Sequence, residues 1–543
     1  MEIEYLEGEY PNIRVKCGGK SVTLHSAYPY REAEKIVRHF NPQIPTVVVA
    51  GFGLGYVVEY ILQNTSYDVV IYEHDESFAP WNGKRLEEIS RSPRVKLFRG
   101  DPRYLLDYLA EAGIGEINLF IHRPYTLLFP EVYDAFHGML VAYLSRRQIN
   151  QATVRRFQKL WVRNILKNSC YYDKLPGVKE LFGSGRGYAA IVVGAGPSLN
   201  KNGHLLKQAK SKDVILIATD TSLLYLDALG VEADFVVSVD PQDKNALYLM
   251  ASRQRPWLVV DSGASFLTFM HYPHERIFLY DTVLPLYQVF RSYWGEKGEV
   301  ECGGSVSTAA FDFAVKLGCE PIIFVGQDLA YSGRQTHASH NALEGMLYAM
   351  VDRYHTYEGY NATSQTFSDR IEVRGWNGRD MVLTDRKFLT FQEWFVRRFR
   401  ECGVRVVNAT EGGMYLEGVI HKPLGEVLDE LSSGKSPYQV HSSFQGRTAE
   451  SFEDLLREFR GDIERLFVQG VRVPLEEALF VLVKQKPLFG RMIEMTMQES
   501  IQKLLESREV DETALVQLRQ EIRDGLVFLK SMIEKRLLMG EKA

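Results

Sequence analysis

An apolar run that breaks into glycines and then re-enters a helix-compatible stretch, Tyr188-Ala-Ala-Ile-Val-Val-Gly-Ala-Gly-Pro-Ser-Leu-Asn200, constrains this chain more than any other segment. Val and Ile in unbroken succession read as a buried strand. Glycines at a strand-to-helix turn let the backbone approach a neighbour closely, and free N–H groups at the next helix start attract phosphate oxygens. The segment predicts a nucleotide-phosphate turn at Gly194, Gly196, Pro197 and Ser198, leading into a helix over 205–208. A tight turn without a ligand is the other reading.

Four further apolar segments, 214–218, 235–239, 258–260 and 321–325, alternate with helix-compatible stretches as a parallel sheet requires. Each ends in small or polar residues: Asp220 and Thr221, then Asp240, then Asp261, then Gln327 and Asp328. Strand carboxyl ends in an open α/β sheet gather at one rim, where ligands bind near the topological switch point, so these ends should converge. Cys302-Gly-Gly-Ser-Val-Ser-Thr308 precedes another helical pattern, and the backbone of Gly304 with the hydroxyl of Ser305 makes a second anion-binding arrangement. Two such arrangements suit a nucleotide-linked substrate.

A second glycine fingerprint lies near the N-terminus. Thr46-Val-Val-Val-Ala-Gly-Phe-Gly-Leu-Gly55 is followed 22 positions after Gly51 by Glu73, placed to bind ribose hydroxyls; this predicts a Rossmann-like domain, either a non-catalytic relic or one with a working nucleotide or S-adenosylmethionine site. Strands over 95–98 and 117–121 would continue its sheet. A helical stretch, 146–167, joins the halves, with Trp161 and Asn164 packing and capping between them. Past the Ser/Gln/Gly-rich 438–447, apolar residues at helical spacing (Phe452, Leu456, Phe459, Ile463; Leu518, Ile522, Leu526, Leu529) predict a helical bundle, a possible dock for a protein acceptor. The expected division is a Rossmann-like accessory domain over 1–145, a doubly wound α/β catalytic domain over 146–437 and a helical domain over 438–543.

The formal net charge of −5 argues against sequence-independent nucleic-acid binding. Five cysteines without a Cys-x-x-Cys pair fit a reducing compartment. The acidic start lacks the basic and apolar regions of a signal peptide, and no uncharged apolar run approaches the roughly 20 residues that span a bilayer. A cytoplasmic protein without a membrane partner is expected.

Gly194-Ala-Gly-Pro-Ser-Leu199, Ser238-Val-Asp-Pro241, Gly303-Gly-Ser-Val-Ser-Thr308, Gly326-Gln-Asp-Leu-Ala-Tyr331 and Asn408-Ala-Thr-Glu-Gly-Gly413 resemble the motility accessory factor family. The resemblance implies a bacterial glycosyltransferase that attaches a nonulosonic acid, of pseudaminic, legionaminic or sialic type, to serine or threonine of flagellin. It also implies an accessory N-terminal domain. The central part is similar to bacterial sialyltransferases that use CMP-sialic acid without a metal; their phosphate turn has Asn where this chain has Ala195. Archaeal hydroxymethyl-dihydropterin diphosphokinases share the central domain, so diphosphate transfer from ATP with Mg²⁺ is an alternative. A flagellin-binding assembly factor is the non-enzyme alternative.

Transfer from a CMP-sugar needs a stabilised phosphate leaving group and a base for the acceptor hydroxyl. Gly194, Gly196, Ser198, Gly304 and Ser305 are the candidates for the first role. His337 and His340, in the polar loop that follows Asp328, are the candidates for the second, with Arg334 of the same loop as a partner for a carboxylate or phosphate. Asp220 and Asp240 either accept hydrogen bonds from the nucleoside or hold Mg²⁺. Thr410, Glu411 and Gly412 close the rim or turn the chain. His271 and His274 have a metal-like spacing, but Pro273 between them points to a surface turn.

Overall fold

A computed structural model describes residues 2–17, 20–74, 78–331, 335, 337–340, 344, 351–353, 356, 359, 370–442, 444, 450–469, 475–506 and 512–540. The chain divides into two compact units, Met1–Arg155 and Arg156–Ala543.

The first unit opens with an antiparallel sheet of β1 (Glu2–Leu6), β2 (Asn12–Cys17) and β3 (Lys20–Thr23) that the apolar pattern did not disclose. Its main sheet is parallel: β4 (Thr46–Ala50), β5 (Asp68–Glu73), β6 (Val95–Arg99) and β7 (Asn118–Ile121), in the order β6-β5-β4-β7. All five residues of β4 are buried, because alternate side chains enter two separate cores: Val48 and Ala50 one, Val47 and Val49 the other. A strand covered on both faces needs such a continuous Val run.

The second unit is built on an eight-stranded sheet. Its strands are β8 (Ala189–Val193), β9 (Val214–Thr219), β10 (Phe235–Ser238), β11 (Trp257–Asp261), β12 (Ile277–Tyr280), β13 (Ile322–Val325), β16 (Val406–Asn408) and β17 (Ile420–His421). A separate antiparallel hairpin pairs β14 (Ile371–Arg374) with β15 (Met381–Thr384). The order in the large sheet is β12-β11-β10-β9-β8-β13-β16-β17, and every pair is parallel. The chain winds outward from β8 to β12, then returns to the other side of β8 as β13. That reversal makes the gap between β8 and β13 the switch point. Val193 lies opposite Val325, so the glycine turns after both strands leave the sheet level with one another.

Both faces of this sheet are covered. Ala190 and Val192 face the helices Val306–Leu317 and Arg386–Cys402, whereas Ile191 and Val193 belong to the core that also holds Phe452, Ile463, Leu526 and Ile533. The C-terminal helices, Glu450–Gln469, Leu475–Gln485, Pro487–Glu506 and Glu512–Gly540, therefore extend the sheet's own core. Phe452 packs its ring 5.1 Å from Trp294 and 5.4 Å from Phe290, and buried Arg536 donates to Ser169 Oγ at 2.8 Å. The apolar stripes are buried by this packing, and removal of residues from 440 onward would open the core. Among the described residues no helix is long and apolar enough to cross a membrane.

Candidate active site

Three turns meet at the carboxyl rim of β8, β13 and β16. Gly194 N donates to Val325 O and Gly196 N to Gly326 O, both at 2.8 Å. Ser198 gives its backbone N–H to Asp328 Oδ2 at 3.0 Å and its hydroxyl to Asp328 Oδ1 at 2.5 Å. Thr410 Oγ1 accepts from Gln327 N at 3.2 Å. The N–H groups expected to hold phosphate at Gly194, Gly196 and Ser198 are thus taken up inside the protein. Gly196 is glycine for a packing reason: a Cβ there would run into the Asp328 carboxylate and stand 2.7 Å from Gly326 O. The helix expected after the turn is also broken up, into Leu199–Asn202 and Leu206–Ala209 with a 3₁₀ turn between them.

Asp328, expected among the catalytic groups, has the geometry of a clasp between β8 and β13. It is 3% exposed, and burial pushes its carboxyl up to about 6, against the lowering effect of its two bonds to Ser198. Pro197 is buried in the same turn. Asn408-Ala-Thr-Glu-Gly-Gly413 buttresses the clasp: a Cβ on Gly412 would stand 2.8 Å from Ser198 Cβ, and Glu411 accepts from Asn202 Nδ2 and Leu424 N, each at 3.0 Å.

The acidic strand ends form the other half of the crevice. Thr219 Oγ1 and Ser222 Oγ both donate to Val193 O, at 3.3 and 2.9 Å, which brings Asp220 and Thr221 beside the glycine turn. Asp220 is fully buried, accepts from Thr221 N and Ser238 Oγ at 2.8 Å, and is pushed up to about 6 by burial. Asp240 is half-buried and accepts from Gln242 N at 2.8 Å. Asp261 ends β11, accepts from Gly263 N at 2.6 Å, and rises to about 7 through burial. Asn245 Oδ1, Tyr248 Oη and Gln327 Oε1 are buried and meet no hydrogen-bond partner among the described residues. Each leaves hydrogen-bonding capacity at the strand ends.

At the far wall, Gly304 (φ +91°) and Ser305 lead into the helix Val306–Leu317. Ser305 makes no side-chain cap, and Thr308 Oγ1 instead receives Gly303 N at 2.8 Å. This is a regular helix start at the rim, unlike the broken stretch after Ser198. The histidine loop lies on the glycine turn: Ala338 N donates to Ala195 O and Ser339 N to Asn200 Oδ1, both at 2.9 Å. His337 is half-buried; burial, with Lys387 adding to it, lowers its pKa to about 4, so the ring is neutral at neutral pH. His340 is exposed, and its backbone N–H goes to Glu344. Arg334 lies outside the described residues.

Asn164, expected to pack and cap between the halves, instead holds two loops of the second unit, and Asn168 and Tyr172, which the sequence reading did not single out, do the same. Asn164, fully buried, donates to Pro241 O at 2.9 Å and Gly263 O at 3.2 Å; Asn168 donates to Ser262 O and Ala264 O at 3.0 and 2.9 Å; Tyr172 Oη reaches Ser262 O at 2.5 Å. The three residues recur every fourth position along one helix face, so they pin the loops carrying Asp240 and Asp261. Buried-type asparagines spaced by four amid Val162, Ile165 and Leu166 were the available signal. His274 is turned to Phe269 O at 2.7 Å, and among the described residues no group of three His, Cys, Asp or Glu could hold a metal ion.

The N-terminal fingerprint is closed in its own way. Phe52 N donates to Glu73 Oε2 at 2.9 Å, Gly53 N to Tyr125 Oη at 3.1 Å and Leu54 N to His25 Nε2 at 2.9 Å. Glu73, expected to bind ribose hydroxyls, is 3% exposed.

These features define a doubly wound α/β protein with polar strand ends gathered at its switch point. Residues 163–334 match the family described as 6-hydroxymethylpterin diphosphokinase MptE-like. An uncharacterized protein of Treponema pallidum (strain Nichols) is 29% identical over 198 residues, 35% of this chain and 68% of that protein. Among solved structures, the MAf glycosyltransferase from Magnetospirillum magneticum AMB-1 is similar over 99% of this chain and 92% of its own length, with a TM-score of 0.56 at 14% identity. The fold expected from the motility accessory factor resemblance is the fold observed.

Proposed function

We propose that this chain is a cytoplasmic glycosyltransferase that moves a nonulosonic acid from a CMP-linked donor to a serine or threonine hydroxyl of flagellin, with no metal required. The reading is supported by likeness along nearly the whole chain to a protein titled a glycosyltransferase. The observation that carries it is the acid-lined half of the crevice. Asp220 and Asp240 offer acceptors, and Asn245 and Tyr248 carry buried polar atoms with nothing bound to them, a set that suits the hydroxyl and amino donors of a ribonucleoside. The phosphate then meets the first-turn N–H groups of the helix Val306–Leu317 and the hydroxyl of Ser305. In the transfer step the acceptor oxygen bonds to the anomeric carbon while the bond from that carbon to the phosphate oxygen breaks. CMP leaves with the electron pair, and the acceptor's proton passes to His337, whose neutral ring can receive it. A ring held at about 4 is a weak base, so the proton moves only as the new bond forms.

The family match over 163–334 favours a second reading, diphosphate transfer from ATP to a hydroxymethyl pterin, in which Asp220 and Asp240 hold Mg²⁺. Thermal shift separates the two. CMP should raise the melting temperature of the full-length protein in EDTA, and Asp240→Ala should abolish the shift. Stabilisation by ATP only with Mg²⁺, and none by CMP, would move the assignment to diphosphate transfer. Mass spectrometry of flagellin from cells with and without the protein tests the acceptor.

A further inference from the structure

The N-terminal unit carries a pocket that its closed glycine turn does not explain. Tyr5, Tyr10, Tyr30, Tyr56, Trp81 and Arg85 line a cavity of about 350 Å³, near the lower end of the roughly 300–1,000 Å³ usual for small-ligand sites. They come from β1, the turn after it and three different helices, Pro29–Val37, Tyr56–Asn64 and Ala79–Ser90, so the convergence is tertiary and not the product of one aromatic-rich segment. The rings meet edge to face: Tyr10 and Tyr30 at 5.8 Å and 71°, Tyr30 and Tyr56 at 5.2 Å and 81°. Walls at right angles make a box. A ring with C–H faces and hydroxyl edges packs its faces on such aromatic walls and leaves its polar rim for hydrogen bonds.

The charges narrow the ligand further. Arg85 stands 4.6 Å over the Tyr56 ring, donates to Tyr30 Oη at 3.0 Å and pairs with Glu59, so it is a fixed donor. Exposed Glu9 adds an acceptor at the same pocket. A quaternary ammonium ion would meet the Arg85 guanidinium, and an acidic sugar would meet the exposed carboxylate of Glu9. A neutral saccharide meets neither penalty, and it can stack its C–H faces while its hydroxyls use Arg85 and Glu9.

We propose that this pocket of the N-terminal unit binds a neutral saccharide. The assignment goes beyond the transfer reaction and does not depend on it. Saturation-transfer NMR on the full-length protein, with N,N′-diacetylchitobiose and maltose as probes, tests it. Saturable transfer is expected from at least one of the two, with affinity at least tenfold weaker in Trp81→Ala and Tyr5→Ala. Tyr5 is 45% exposed, so its removal leaves the core intact and the melting curve unchanged. Asp240→Ala, in the second unit, should leave this binding as it was. No transfer from either disaccharide, or transfer that survives both aromatic substitutions, would overturn the proposal. So would binding confined to N-acetylneuraminic acid, to choline or to a proline-rich peptide.

Discussion

The turns at 51–55 and 194–198 read almost alike in sequence, and both follow the all-buried strand at the centre of a parallel sheet. Both have their N–H groups taken up by the protein, but by different means. In the first unit Gly51 N goes to Tyr72 O of the neighbouring strand and Gly55 N to Phe52 O, but the three N–H groups between them go to side chains, Glu73, Tyr125 and His25. In the second the acceptors are the carbonyls leaving β13 and the carboxylate of Asp328. Side chains plug a turn where a ligand would sit, whereas a neighbouring strand end locks it from one side. Beside the second turn Asn245, Tyr248 and Gln327 keep buried polar atoms that meet no hydrogen-bond partner among the described residues. A glycine fingerprint therefore reports close backbone approach, and only its surroundings tell whether the approach is to a ligand or to another part of the chain.

The largest test of this contrast is at the glycines. Gly196→Val drives a side chain into Asp328 and Gly326 and should destabilise the second unit by about 3 kcal/mol. Gly53→Ala meets the His25 and His122 rings at φ +60° and should cost about 2 kcal/mol. Urea unfolding measures both. A Gly196→Val protein of wild-type stability that has lost CMP binding would restore the ligand-contact explanation for that glycine.

Next comes the clasp. Asp328→Ala leaves the buried Ser198 N–H and hydroxyl without an acceptor, a loss of about 2 kcal/mol. Asp328→Asn keeps one acceptor and should lose about half of that. Equal loss of activity in both variants, with the unfolding midpoint unmoved, would instead make Asp328 a chemical group.

The smallest effect is the pH dependence, and it has opposite signs in the two units. Burial raises Asp220, Asp261 and Asp328 to between about 6 and 7, so the folded second unit holds protons that the unfolded chain releases near 4. Their favourable contribution is complete below pH 4 and is lost as pH rises through about 6 to 7; His337 and His421, both lowered by burial, oppose them, as do Asp213, Asp243 and Glu301, which are held below the usual carboxylate range. His122 in the first unit is held at about 4 by burial, so its contribution is complete above the unfolded value near 6.5 and is lost as pH falls toward 4. Hydrogen exchange resolved by unit, from pH 4 to 8, should show the two slopes. CMP affinity, which needs Asp220 ionised, should weaken below pH 6, and a flat affinity from pH 5 to 8 would remove Asp220 from the binding set.

Much of this protein is legible in its residues. The buried strands β8, β9, β10, β11 and β13, the central strands of the first unit and two C-terminal helices follow from apolar runs and periodicity, because burial of a whole strand or of one helix face leaves a local mark. The convergence of Asp220, Asp240 and Gln327 on one rim follows from parallel topology. What tertiary structure alone decided is who faces whom: that Asp328 holds Ser198, that Glu73 fills the first glycine turn, that Asn164 and Asn168 pin distant loops, and that the C-terminal helices complete the sheet's core. Each of these joins residues far apart in the chain through a hydrogen bond or contact that leaves no period in the sequence, so only the folded arrangement could reveal it.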